Sequence, residues 1–130
     1  MRPTRAPTPE MDRLPPMTHY VVGVLRRPAS PPSRTPQEAD ALQERHLAHL
    51  RSLREAGELL MTGPMEEDTD LRGLLIFSTD RTARARELMR DDPLVAGAYL
   101  QLDLYTWFAP AGLSLVGASP KPTDLTFETD

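Results

Sequence analysis

In residues 35–64, TPQEADALQERHLAHLRSLREAGELLMTGP, a helix with both ends marked runs into a short apolar strand. Thr35 can cap, Pro36 suits the first helical position, and Glu38 can reach back to the cap. Leu42, His46, Leu50 and Leu53 recur at spacings of four, four and three, which is one face of a helix. The helix is expected to run to about Ala56, where Gly57 offers a left-handed stop. Glu58 to Thr62 (ELLMT) then reads as a strand, closed by Gly63-Pro64.

Upstream, residues 18–26 (THYVVGVLR) are β-rich and apolar at nearly every position, so a strand is expected. Residues 27–36 hold four prolines and must be a loop. Downstream, residues 65–72 form a polar loop and Gly73 to Ser78 (GLLIFS) a third strand. Thr79 or Asp80 is expected to cap a second helix that ends near Arg90, broken by Asp91-Asp92-Pro93. Ala98 to Phe108 (AYLQLDLYTWF) supplies the last strand. The order is βαββαβ, an α+β chain with the ferredoxin-like arrangement of two helices on one side of a four-stranded antiparallel sheet.

This domain is expected over residues 17–109. Five of the 14 prolines fall in residues 1–16, a stretch poor in large apolar side chains, so an extended or disordered Pro-rich extension is expected there. Residues 110–130 read as a C-terminal extension, whose Leu113, Leu115 and Val116 are candidates to dock on a surface.

Two helices cover only one face of a sheet, and a face left to water should alternate apolar with polar. These strands do not alternate. Tyr20, Val22 and Val24 oppose Val21 and Leu25, while Leu74 and Ile76 oppose Leu75 and Phe77. Both faces are apolar, so a second copy, sheet against sheet, is the expected cover. In the last strand Leu100, Leu102 and Leu104 share the helix side, and Tyr99, Gln101, Asp103 and Tyr105 share the other. Such a polar and aromatic row suits either a small-ligand cavity, with Tyr99, Gln101 and Tyr105 as binding residues, or a wet interface with no ligand.

Composition removes several function classes. The net charge of −4, with signs mixed along the chain, argues against nucleic acid. There is no cysteine, hence no disulfide or thiolate chemistry. No apolar run approaches the roughly 20 residues of a membrane span. Arg2, Arg5 and Arg13 are not followed by the apolar stretch of a secretory signal, and a cytoplasmic protein is expected. His46 and His49 are three residues apart with no acidic pair beside them, no glycine-rich phosphate loop is present, and no histidine stands in a haem setting. No metal and no cofactor are expected.

His46 sits on the apolar stripe, where a histidine is either a hydrogen-bonded core residue or a proton carrier; His49 borders that face and His19 reads as structural. Asp91 and Asp92 follow the second helix, where acidic groups oppose its dipole, which hints at another reason for one of them.

The stretches Arg45 to Met65 (RHLAHLRSLREAGELLMTGPM) and Asp91 to Tyr99 (DDPLVAGAY) resemble the YciI-like, or YCII-related, family. That family shows a helix with H-L-x-x-L, a G-x-L-L-x-x-G-P strand end and a later D-P-x-x-A-G element. The resemblance covers about Thr18 to Phe108. It implies a dimeric α+β barrel with a histidine–aspartate pair in a pocket, and by motif position the pair matches His46 and Asp92. A carboxylate beside an imidazole holds its tautomer and makes it a general base or acid. Two departures stand out: Leu94 occupies a position that is often aromatic, and the loop before the histidine helix is unusually rich in proline. Most members have no assigned reaction, and a few take part in degrading chlorinated aromatic compounds. The function expected is therefore proton-transfer chemistry of an isomerase, lyase or dehalogenase type on an unidentified small molecule. The alternative is a non-catalytic dimeric module that binds a ligand or a protein.

Overall fold

The structure, a computed structural model, describes residues 16–113. Both proposed extensions lie almost wholly outside these residues. Four strands and three helices follow in the order β1 (Met17–Arg26), α1 (Pro36–Glu55), β2 (Leu59–Pro64), β3 (Leu71–Phe77), α2 (Thr82–Met89), α3 (Pro93–Ala96) and β4 (Gln101–Pro110). The strands form one antiparallel sheet in the order β2-β3-β1-β4. The chain is thus α+β.

α1 begins as its sequence dictates. Thr35 Oγ1 accepts from the Glu38 amide at 3.1 Å, and the Glu38 carboxylate accepts from the Thr35 amide at 3.4 Å. This reciprocal pair, with Pro36 behind it, satisfies amides that no helical carbonyl reaches. The helix stops where Gly57 turns left-handed at φ +77°. Its buried residues are Leu42, His46, Leu50 and Leu53, each leucine contributing about 1.5–3 kcal/mol by leaving water.

Leu50 and Leu53 meet Val21 and Leu25 of β1, Leu75 and Phe77 of β3, and Ala85 and Met89 of α2 in one core. Leu100, Leu102 and Leu104 pack against it from the β4 side, on the helix face as alternation required. Among the described residues, no helix lies over the opposite sheet face. Val22 pairs with Ile76 and Tyr105, Val24 with Leu74, and Tyr20 with Trp107. Leu74, Tyr105 and Trp107 remain exposed there.

Three local expectations differ from what forms. Neither Thr79 nor Asp80 caps α2; Arg81 holds that position without a side-chain bond, because Thr79 Oγ1 accepts from the Arg81 amide in a tight turn instead. The Asp91-Asp92-Pro93 break is also a start: Asp92 caps α3, and Pro93 sits in its first turn. Finally, β4 begins at Gln101 rather than Ala98, because residues 97–100 form the exit from α3. There the Tyr99 and Leu100 amides both donate to Leu94 O.

Candidate functional site

α1 and α3 bring together two side chains that are 46 residues apart in the chain. His46 Nδ1 lies 2.6 Å from Asp92 Oδ1. The other carboxylate oxygen, Asp92 Oδ2, accepts from the amides of Leu94 at 3.2 Å and Val95 at 3.1 Å. Asp92 is 0 % exposed, so its carboxylate depends on these three bonds in place of water. The acidic residue that follows the end of α2 therefore serves the start of the next helix, where one of its acceptor oxygens meets free amides.

The two roles of Asp92 fix the state of the imidazole. An ionised carboxylate only accepts, so Nδ1 carries the hydrogen and donates it to Oδ1. In the neutral ring Nε2 then holds the lone pair. Nε2 has no bonding partner among the described residues, and every buried side-chain nitrogen or oxygen there has one. Nε2 is therefore the ring nitrogen through which His46, 7 % exposed, keeps contact with solvent. His49, three residues on, is tied down differently, its Nε2 donating to Leu88 O at 2.8 Å in the last turn of α2.

Of the three side chains read from sequence as one ligand-binding row, Tyr99 stands apart, while Gln101 and Tyr105 are linked through Asp103 and Arg26. Tyr99 lies before β4, its ring packed on Gly97 and under the Arg34 guanidinium, 4.9 Å from the ring centroid. Gln101 opens β4, and its amide donates to Asp103 Oδ1. Tyr105 stands on the open sheet face, 52 % exposed. Nearby, Arg26 Nε donates to Asp103 Oδ2 at 3.0 Å. That bond, chiefly, raises the Arg26 pKa above the ordinary arginine value.

Two concave regions accompany this geometry. A shallow groove of about 370 Å³ runs over the open sheet face, between Val22, Leu74 and Ile76 on one side and Tyr105 and Trp107 on the other. A larger cleft of about 620 Å³ lies where α2, α3 and the start of β4 meet, with Arg86, Arg90 and Gln101 among its lining. Neither is lined by His46 or Asp92. Sequence reading passed over Arg34, Arg86 and Arg90; the spacing of Arg86 and Arg90, one helical turn apart, was the available signal.

Among the described residues, no helix is long and apolar enough to cross a membrane. None of the curated proteins matches the chain. Among solved structures it is similar to 5-chloro-2-hydroxyhydroquinone dehydrochlorinase from Burkholderia phenoliruptrix AC1100, in complex with 2,5-dihydroxybenzoquinone. That likeness has 18% sequence identity over 69% of this chain and 93% of that one, with a TM-score of 0.48. The model of the YCII-related domain matches residues 18–107, from the first strand through most of the last, and the chain belongs to that family.

Proposed function

We propose that this protein is a small-molecule enzyme in which His46 moves a proton at Nε2 and Asp92 holds the ring. One observation carries the reading: Asp92 divides its two oxygens between the α3 amides and His46 Nδ1, which leaves Nε2 unpartnered. A base needs a lone pair aimed outward and a partner that accepts the hydrogen on the far nitrogen. Proton abstraction at carbon is the step shared by isomerisation and by elimination of halide. Dehalogenation by water needs the same base to activate the nucleophile. Pairing of two open sheet faces would give the ferredoxin-like domain the form of a dimeric α+β barrel.

The binding-module reading draws on a different observation, the absence of His46 from the lining of both clefts. One variant separates the two. His46→Asn keeps a donor where Nδ1 was and removes Nε2. Exchange of deuterium from D2O into a panel of small lactones and halogenated hydroxyarenes, followed by mass spectrometry, reads the elementary step. The wild type should catalyse exchange with at least one of them and His46→Asn should not, although the variant stays folded with a stability loss within about 1.5 kcal/mol. Equal exchange by both proteins would remove His46 as the base, and no exchange by either would leave the binding module.

A further inference from the structure

The larger cleft has a composition that the His46 chemistry does not use. Its lining is mostly apolar: Pro28, Val95, Ala96, Ala98, Leu100 and Leu102. Among the described residues, the only charged ones that line it are Arg86 and Arg90. Both are exposed, and neither pairs with a carboxylate among the described residues. Two like charges one turn apart repel. Their position at the end of α2 suits the helix dipole, which accounts for cations there but not for their convergence on an apolar cleft. Ala98 lines the same cleft at φ +61°, the only non-glycine with a positive φ among the described residues. A β-carbon is disfavoured in that conformation.

We propose that this cleft binds a small organic monocarboxylate, its anion held by Arg86 and Arg90 and its hydrocarbon body laid against Val95, Ala98, Leu100 and Leu102. A guanidinium matches a carboxylate through two parallel N–H donors, and two guanidiniums can share one anion. The volume, about 620 Å³, is in the range of small-molecule sites. The apolar lining sets the class: inorganic phosphate would use the arginines and leave the rest of the cleft idle. Among the described residues no carboxylate lines the cleft to compete for the cations. Neither His46 nor Asp92 lines the cleft, so a binding readout tests it whatever the proton-transfer chemistry proves to be.

The experiment is a titration of the full-length, ¹⁵N-labelled protein at constant ionic strength with sodium benzoate, hexanoate, benzamide and inorganic phosphate. At least one carboxylate should shift the amides of residues 95–102 saturably, while benzamide and phosphate bind at least about tenfold more weakly. The double variant Arg86→Gln/Arg90→Gln, altered only at exposed side chains, should keep the remaining spectrum and lose at least about tenfold in carboxylate affinity. Binding of benzamide or phosphate as tight as that of the carboxylates overturns the proposal. So does affinity retained in the double variant, or the lack of any saturable shift with both carboxylates.

Discussion

Asp92 binds His46 Nδ1 with one carboxylate oxygen and the amides that open α3 with the other, so one buried side chain joins the orientation of the imidazole to the placement of a helix. Neither oxygen can be given up without cost to the other partner. The pair can therefore be dissected by substitutions that remove one function at a time.

Asp92→Asn should preserve the fold and reverse the imidazole. Asparagine caps helices as well as aspartate does, and its single carbonyl oxygen is needed by the Leu94 and Val95 amides. Its NH2 group is then left facing His46 Nδ1, which must accept. The ring hydrogen moves to Nε2, and the lone pair that would act as base is lost. Long-range ¹H–¹⁵N correlation should show the Nδ1–H form in the wild type and the Nε2–H form in the variant. Any proton-transfer activity should fall by at least about a hundredfold.

His46→Ala should be markedly less stable than His46→Asn. The alanine variant leaves Asp92 Oδ1 buried without a donor and opens a cavity on the α1 stripe, together about 2–4 kcal/mol. The asparagine variant restores the donor, so its loss should stay within about 1.5 kcal/mol, the net worth of a typical hydrogen bond. Urea unfolding of the two proteins measures the difference directly.

The exit from α3 is tight at one residue and strained at the next. A β-carbon on Gly97 would stand 2.7 Å from Tyr99 Cε2 and 3.0 Å from Pro93 O. Gly97→Ala should therefore cost about 1–3 kcal/mol and displace the Tyr99 ring from under Arg34. Ala98→Gly should act in the opposite sense, raising stability by up to about 1 kcal/mol by relieving the left-handed alanine. Thermal unfolding of both variants checks the opposed signs.

Arg26 offers a control on electrostatics. Its bond to Asp103 raises its pKa, so the charged guanidinium is favoured in the folded state. A raised pKa contributes stability that is fully present below the ordinary arginine value and is lost only as pH climbs past the folded one. The stability difference between wild type and Arg26→Gln should thus show no arginine titration between pH 7 and 10. Added salt should shrink that difference, since the pair is open to solvent.

What could be read from the chain follows from which forces act locally. The Thr35–Glu38 box, the Gly57 stop and the alternate faces of β1 and β3 are encoded within a few residues of where they operate, and they form as read. α3 escaped because Asp-Pro marks a helix start as well as a turn, and a single turn is too short to show periodicity. Tyr99 was misplaced by carrying the alternation of β4 back past the α3 exit, where the backbone is no longer extended. The contact between His46 and Asp92 has no local signature at all. It was reached through the family resemblance. The Arg86 and Arg90 cleft depends on three elements meeting, which no single segment announces.

The open sheet face carries the remaining prediction, the dimer. Tyr105, Trp107 and Leu74 are 52, 44 and 37 % exposed around the Val22–Ile76 pair, a contiguous apolar surface that water leaves unsatisfied. Cover by a second copy requires the same patch on both partners, so one substitution strikes the interface twice. Trp107→Asp places a charge in the middle of that contact while sparing the helix-side core, to which Trp107 does not belong. Burying that carboxylate unpaired costs several kcal/mol per copy, enough to dissociate a micromolar dimer. Sedimentation velocity should give the mass of two chains for the wild type at micromolar concentration and that of one chain for Trp107→Asp, with the far-ultraviolet circular dichroism of both unchanged. A wild type that sediments as one chain would leave the face open to a different partner.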